Sequence, residues 1–286
     1  MKKVLITGAS GLLGRAVMRE FEANGSWTIL GLAFSRAGQK LKKVDLTNPQ
    51  AVTEVLQEFK PSVVIHCAAE RRPDVVEKQE EATYSLNVQA TKSLCQSAAA
   101  VDASVIYIST DYVFDGKNPP FKVTDPPNPL NKYGKSKLEG EKVCLAEGKA
   151  NAVLRVPILY GEVEQLDESA VTVLFTKVKN PSVECVMSDY ERRYPTHCDD
   201  IAVGEDISGI FHWSGDEMMT KYDMAVAMAE AFGIPKGHIK ADKNPSGGAP
   251  RPYDAHLDSS RVESLGICKR SKFKDRIRPA LERFYP

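Results

Sequence analysis

The stretch Lys3-Val4-Leu5-Ile6-Thr7-Gly8-Ala9-Ser10-Gly11-Leu12-Leu13-Gly14 carries an apolar run directly into three glycines spaced three residues apart. This order predicts a strand, a tight turn and a helix. In a dinucleotide-binding turn the first glycine allows the bend, the second admits a pyrophosphate, and the third lets the helix pack closely. The same spacing also occurs in simple tight loops. The strand before it and the amphipathic helix after it favour cofactor contacts from Gly8, Ser10, Gly11, Leu12, Leu13 and Gly14.

The composition indicates a folded protein without a polyanionic partner. A chain of 286 residues with 42% hydrophobic content can form one large α/β unit, or a main domain with a smaller lobe. Because 38 basic residues balance 38 acidic ones, nothing points to binding of nucleic acid or of a membrane surface. No signal segment or long apolar run is present, so we expect a cytoplasmic location. The six cysteines form no C-x-x-C pair, which argues against a metal site and a disulfide framework.

Residues after the second predicted strand, Thr28-Ile29-Leu30-Gly31-Leu32-Ala33, indicate which cofactor binds. An NAD site would place an acidic residue there to bind the ribose 2′-hydroxyl group. This chain instead has Phe34, Ser35 and Arg36, and a hydroxyl with a guanidinium suits the 2′-phosphate of NADP(H). The alternative is that Arg36 is an ordinary surface residue. We place Asp45 and Leu46 near the adenine.

Strand and helix patterns alternate along the rest of this half of the chain. Asn48 and Pro49 predict the start of a helix that ends at Phe59, and a long helix is expected from Glu80 to about Val101. Buried strands are expected near residues 62–66, 105–109 and 153–156. The alternation predicts an α/β fold, a Rossmann-type doubly wound parallel sheet in residues 1–156. Residues 157–286 should form mainly a smaller C-terminal lobe, with some segments returning to the sheet.

Small residues and arginines follow the strand at residues 62–66. Cys67, Ala68 and Ala69 would let a cofactor lie across the end of that strand. Arg71 and Arg72 follow these small residues, and two interpretations are open. The arginines could bind an anion, with Arg71 contacting the cofactor, or they could belong to a solvent-exposed loop.

A second group of residues carries potential chemistry. Thr110 directly follows the predicted strand at 105–109, and Tyr133 and Lys137 lie one turn apart at the start of a helix. In that arrangement the lysine can lower the pKa of the phenol and reach the nicotinamide ribose. Tyr133 could then donate a proton during hydride transfer while Thr110 orients the substrate carbonyl. A Tyr-x-x-x-Lys pair alone is weak evidence, and the glycine turn is what strengthens it.

These motifs, with Ser109-Thr110-Asp111-Tyr112-Val113-Phe114-Asp115-Gly116, resemble the dTDP-4-dehydrorhamnose reductase family of extended short-chain dehydrogenases/reductases. Three stretches are most similar to the regulatory beta subunits of methionine adenosyltransferase within it: 67–77, Pro157-Ile158-Leu159-Tyr160-Gly161-Glu162 and Phe211-His212-Trp213-Ser214-Gly215. The resemblance implies a reductase-shaped protein that binds NADP(H), docks on the methionine adenosyltransferase catalytic subunit and tunes its affinity for methionine. It also implies that the Thr110, Tyr133 and Lys137 group can be vestigial.

The resemblance extends to the C-terminal lobe. There Leu159 is expected at the nicotinamide end of the cofactor, and Arg192, Arg193 and Arg251 form either a diphosphate grip or a basic surface loop. Thr220 and Gly233 should begin and end a core helix. The interval from Cys198 to Ser208 is shorter than in relatives, and the segment Phe273 to Pro286 stops before the tail through which beta subunits bind their partner.

Three functions follow from these residues. The first is a regulatory subunit of methionine adenosyltransferase, involved in S-adenosylmethionine synthesis, with NADP(H) as a bound ligand. The second is an NADPH-dependent reductase of a 4-keto sugar nucleotide, which the intact Thr110, Tyr133 and Lys137 favour. The third is a sensor of the NADP/NADPH ratio, which would require unequal affinities for the two forms.

Overall fold

The computed structural model describes residues 2–38, 40–201 and 207–285. Part of the short interval between Cys198 and Ser208 therefore lies outside the described residues. Two compact units are present, the first formed by residues 2–113, 127–155 and 207–211 and the second by 114–126, 156–201 and 212–285. In these ranges no helix has both the length and the apolar character needed to cross a membrane.

The first unit is built on a seven-stranded sheet, which confirms the predicted parallel α/β fold. Its strands are β1 Lys2–Thr7, β2 Trp27–Ala33, β3 Lys42–Lys43, β4 Val63–His66, β5 Ser104–Thr110 and β6 Ala152–Val156, and the seventh, at Gly209–His212, is labelled β10 because β7–β9 precede it in the chain. The spatial order is β10-β6-β5-β4-β1-β2-β3. β1 pairs in parallel with both β2 and β4, and β4 with β5. The carboxyl ends of β1, β4 and β5 therefore share one edge.

Helices cover the sheet of the first unit. They are α1 Leu12–Asn24, α2 Pro49–Phe59, α3 Pro73–Val76, α4 Glu80–Tyr84, α5 Ala90–Ala99 and α6 Lys132–Glu147. The start of α2 is as predicted, because the Asn48 side chain accepts hydrogen bonds from the backbone N–H groups of Gln50 and Ala51. The core beneath these helices contains Leu5, Val64, Leu94 and Val105, all fully buried.

The helix expected from Glu80 to Val101 contains an irregular turn. A π-helical turn at Ser85–Gln89 separates α4 from α5, and the Ala90 N–H donates to the Ser85 carbonyl, five residues back. A π-turn inserts one extra residue into the helical repeat and frequently occurs at functional sites. The turn brings Asn87 to a buried position.

The second unit has its own core and short strands. Its elements are β7 Leu159–Tyr160, α7 Phe175–Val178, β8 Cys185–Ser188, β9 Thr196–His197, α8 Lys221–Phe232, β11 Ile239–Asp242, α9 Ser260–Glu263 and α10 Phe273–Leu281. β8 pairs with β11 and β7 with β9, in both cases in parallel. Thr220 begins α8 through a capping box with Asp223, and Gly233 ends it in the left-handed conformation, as predicted.

Candidate nucleotide-binding site

The glycine turn has the close backbone packing that the sequence predicts. Gly8 has a φ of +64°, and a Cβ at this position would lie 2.9 Å from the Ala68 nitrogen on β4's side of the turn. A Cβ on Gly14 would lie 2.2 Å from the Gly8 carbonyl oxygen. Gly11 is the N-cap of α1, and no side chain of the described residues caps this helix start. The backbone N–H groups of the first turn are thus available to a phosphate group.

The other predicted residues of this turn are placed around it. Ser10 and Leu12 are partly exposed, whereas Leu13 is buried. The Arg15 guanidinium donates to the Ser10 carbonyl, which ties the turn to the first turn of α1. Ser10, Gly11 and Leu12 therefore present the accessible surface of the motif, and Leu13 and Gly14 fix its packing.

The residues predicted to select the cofactor lie just beyond β2. Phe34, Ser35 and Arg36 are all exposed. In the register of β2 and β3, Ala33 pairs with Lys43, and the Lys43 ammonium lies 6.0 Å from the centroid of the Phe34 ring. A second cation, which the sequence did not indicate, thus accompanies Arg36 at this edge of the sheet.

Asp45 and Leu46 follow β3 and have different environments. The Asp45 carboxylate accepts hydrogen bonds from the backbone N–H and the hydroxyl of Thr47. Leu46 is buried in the core of the first unit. Asp45 is therefore accessible to a ligand, whereas the side chain of Leu46 contributes to packing.

Thr110, Tyr133 and Lys137 are brought together at the carboxyl end of β5 and the start of α6. The Tyr133 phenol lies close enough to the Thr110 side chain for Thr110 to act on its pKa. The Thr110 hydroxyl also donates to the Asp111 carboxylate, 2.9 Å away. Tyr133 packs edge-to-face on Tyr112, with ring centroids 5.8 Å apart. Tyr133 thus lies beside Thr110 and Tyr112, and Lys137 follows one turn further along α6.

The electrostatics of this group differ from the expectation. Burial raises the pKa of Tyr133, while the Thr110 side chain and the charge of Arg71 lower it only in part. The predicted lowering of the phenol pKa by Lys137 is therefore not the dominant effect, because burial penalises the phenolate more strongly. Burial also lowers the pKa of Lys137 to about 7.

Lys137 is 3% exposed and is held by aromatic and charged neighbours. Its ammonium lies 4.0 Å from the centroid of the Tyr107 ring, and Glu141, one turn further along α6, acts to raise the lysine pKa. Gly140 makes the approach of Tyr107 possible, since a Cβ there would lie 2.2 Å from the Tyr107 hydroxyl oxygen.

A buried ion pair lies behind Lys137. Arg155 on β6 donates to both carboxylate oxygens of Glu141, from Nε at 2.9 Å and from Nη2 at 2.6 Å. The Ser109 hydroxyl, next to Thr110, donates to the same carboxylate. The side chains of Arg155 and Glu141 are 2% and 3% exposed. This pair therefore connects β5, β6 and α6 directly behind the Thr110, Tyr133 and Lys137 group.

The small residues after β4 and the arginines that follow them lie on the same edge. Cys67, Ala68 and Ala69 are partly exposed, and burial raises the pKa of the Cys67 thiol to about 12, so the thiol stays protonated. Glu70 forms a two-point ion pair with Arg72 and also accepts from the backbone N–H groups of Arg71 and Arg72. Arg72 is thus tied to its own loop, and Arg71 is the arginine whose charge acts on Tyr133.

His66, the last residue of β4, is a buried residue with specific hydrogen-bond partners. It is fully buried, its Nδ1 lies 2.7 Å from the Thr7 hydroxyl, and its Nε2 lies 3.0 Å from the Thr91 hydroxyl. Burial, together with the charge of Lys137, lowers the pKa of His66 to about 3, so the ring is neutral at physiological pH. No local sequence signal could reveal these partners, which lie 59 and 25 residues away.

Other predicted residues belong to the second unit. Leu159 is partly exposed in β7, and its contact with a nicotinamide remains a prediction. Arg193 is buried and donates to the carbonyls of Arg192 and Pro252, so its guanidinium stabilises loops. Arg192 pairs with Asp254, and Arg251 donates to the carbonyls of Gly247 and Ala249. Of the three arginines predicted to bind a diphosphate, Arg193 thus uses its guanidinium to stabilise loops.

The Glu141 carboxylate should contribute strongly to stability. We expect Glu141→Gln to lower the free energy of unfolding by about 3–5 kcal/mol, because Arg155 would remain buried without its charge partner. The control is Glu139→Gln on the same helix, whose ion pair with Lys142 is exposed and should contribute little. Urea denaturation of both variants measures the difference, and equal midpoints would contradict this assignment.

Comparison with known proteins agrees with this geometry. The family model described as "RmlD substrate binding domain" matches residues 1–285. Methionine adenosyltransferase 2 subunit beta of Bos taurus is 50% identical, with alignment over 98% of this chain and 87% of the relative. A dTDP-4-dehydrorhamnose reductase of Aggregatibacter actinomycetemcomitans is 34% identical over 80% of this chain and 78% of its own.

A solved structure extends the similarity to the fold. The dTDP-4-dehydrorhamnose reductase of Bacillus anthracis, solved in complex with NADP, has a TM-score of 0.86 at 25% identity and covers 100% of this chain and 99% of its own. The glycine turn and the Thr110, Tyr133 and Lys137 group thus occur within a fold shared along the whole chain. The chain belongs to the RmlD substrate-binding domain family and, within it, to the family of methionine adenosyltransferase 2 beta subunits.

Proposed function

We propose that this chain is a regulatory subunit of methionine adenosyltransferase that binds NADP(H) and tunes the methionine affinity of the catalytic subunit. The observation that carries the proposal is the 50% identity to a beta subunit over 98% of the chain. The name of that relative implies a catalytic subunit as partner. We place this function in the cytoplasm, in keeping with six free cysteines and no disulfide among the described residues.

The residues of the first unit suit a dinucleotide. The α1 N-terminus and the Gly8–Gly14 turn would hold the pyrophosphate, and Arg36 with Lys43 would bind the 2′-phosphate. Tyr133 and Lys137 would contact the nicotinamide ribose. We infer that the cofactor domain spans residues 1–156 and the smaller lobe mainly residues 157–286, with some segments returning to the sheet. The compact units are in keeping with this division except at residues 114–126, which group with the second unit.

The choice of NADP(H) over NAD(H) should depend on the cations beyond β2. We expect Arg36→Ala to weaken NADPH binding about tenfold while leaving NADH binding nearly unchanged, because only NADPH carries the 2′-phosphate. Lys42→Ala serves as the control, since the Lys42 ammonium pairs with Glu58 on α2. Calorimetric titration of both cofactors measures the effect. A wild-type protein that binds NADH as tightly as NADPH would contradict the proposed selectivity.

The regulatory role predicts a stable complex with a second protein. We expect the chain to co-elute with a methionine adenosyltransferase catalytic subunit in size-exclusion chromatography and to lower the methionine concentration at half-maximal rate. Tyr133→Phe should preserve both effects, because the phenol hydroxyl would have no part in docking. A failure of the wild-type protein to co-elute, with no change in methionine dependence, would reject this function.

The proximity of the Tyr133 phenol to the Thr110 side chain favours a second candidate function, the reduction of a 4-keto sugar nucleotide. Bound NADPH would supply a hydride, Tyr133 would donate the proton to the carbonyl oxygen, and Thr110 would orient that carbonyl. If this activity exists, dTDP-4-dehydrorhamnose should cause NADPH absorbance to fall, and Tyr133→Phe should abolish the change. A flat trace from protein with confirmed NADPH binding would leave binding and regulation as the function.

A further inference from the structure

A chain of hydrogen bonds runs through the first unit from the end of β4 to the start of α6. The Ala68 N–H donates to the Thr7 hydroxyl at 3.3 Å, and the Thr7 hydroxyl contacts His66 Nδ1. On the other side of the ring, His66 Nε2 contacts the Thr91 hydroxyl, which donates to the Asn87 carbonyl at 2.9 Å. His66, Thr7, Thr91 and Asn87 are buried. The end of β1, directly before the glycine turn, is thereby linked to the π-turn.

A second set of hydrogen bonds leads from the side chain of Asn87 to the backbone of Tyr133. The Asn87 amide donates to the Ser136 hydroxyl at 3.1 Å, and that hydroxyl donates to the Tyr133 carbonyl at 2.8 Å. The Asn87 side chain also holds the loop after β4, since it accepts from the Glu70 N–H and donates to the Glu70 carbonyl. The two sets of hydrogen bonds are joined through the covalent structure of Asn87 and reach from Thr7, at the end of β1, to the first turn of α6.

The hydrogen-bond donors and acceptors around His66 determine its tautomer. Because the Thr91 hydroxyl gives its proton to the Asn87 carbonyl, it must accept at its oxygen from His66 Nε2–H. His66 Nδ1 is then an acceptor, and it receives the proton of the Thr7 hydroxyl. The ring is thus required as the neutral Nε2–H tautomer, and each hydroxyl of the chain both accepts and donates.

We propose that His66 is a positioning residue for the nicotinamide side of the cofactor site, acting through Thr91 and Asn87 on the Glu70 loop and the Tyr133 turn. The inference rests on the proposed NADP(H) binding. The described ring contacts of His66 are Thr7, Thr91 and Tyr107, and none of these residues is assigned to the adenosine half. Breaking the link at Thr91 should therefore affect the two halves of the cofactor unequally.

The test compares Thr91→Val with Thr91→Ser. Valine keeps the shape of threonine but cannot accept from His66 or donate to Asn87, whereas serine keeps the hydroxyl. Calorimetric titrations use NADPH and adenosine 2′,5′-bisphosphate, which lacks the nicotinamide half. We expect Thr91→Val to weaken NADPH binding about fivefold or more, and to change bisphosphate binding less than about twofold. Thr91→Ser should bind both ligands within about twofold of the wild-type protein.

The possible results separate the two proposals. If the wild-type protein binds no NADPH, the proposed function fails and the positioning role fails with it. If the wild-type protein binds NADPH and Thr91→Val changes the affinities for both ligands equally, or changes neither affinity, only the positioning role is overturned. If Thr91→Val shows no cooperative unfolding, the same two titrations are made with Ser136→Ala. That variant removes only the hydroxyl between the Asn87 amide and the Tyr133 carbonyl, at a partly exposed position of α6. A selective loss of NADPH affinity in that variant supports the proposal, and unchanged affinity overturns it.

Discussion

The approach of α1 to the end of β1 is the constraint on which the first unit depends. At Gly14 the space of a Cβ is taken by the Gly8 carbonyl oxygen, 2.2 Å from the position that atom would occupy. Any side chain there would push the helix away from the strand. β1 lies between β2 and β4 in the sheet. Such a movement would therefore separate the N-terminus of α1 from the sheet edge at which β2 and β4 end. The anion-binding geometry is therefore a result of backbone packing.

Helix α6 is fixed to the sheet by different means. Lys137, Gly140 and Glu141 all face the sheet, where Tyr107 and Arg155 contact them. Burying these charges has a large desolvation cost, which the two-point geometry and the Ser109 hydrogen bond offset. A bidentate pair is satisfied in only one register of helix against strand. We interpret the Glu141–Arg155 ion pair as the interaction that fixes the position of Tyr133 and Lys137 relative to the sheet edge.

Features encoded within a few residues could be predicted from the sequence, and long-range partnerships could not. The glycine spacing, the Asn48 cap and the four-residue interval from Tyr133 to Lys137 each act within one or two turns of chain. Lys43 comes near Phe34 only through the register of β2 and β3. The Glu141–Arg155 pair, the burial of Arg193 and the π-turn around Asn87 depend on how separate elements pack. A hydrophobic pattern shows that a residue is buried, but not which polar group it meets.

Thr110 and Lys137 are buried beside the partly exposed Tyr133, and this bears on what the presence of the three residues means for function. Lys137 packs on Tyr107 in front of the Glu141–Arg155 pair, so its removal would disturb the core as well as any reaction. Lys137 thus contributes to packing whether or not turnover occurs, and the presence of the three residues alone does not establish a reductase. A ligand that binds only the folded state at a hundred times its Kd adds about 2.7 kcal/mol of stability. That is a substantial part of the ordinary stability of a domain, about 5–15 kcal/mol. Under the proposed function, a bound dinucleotide would therefore act as a structural component of the first unit.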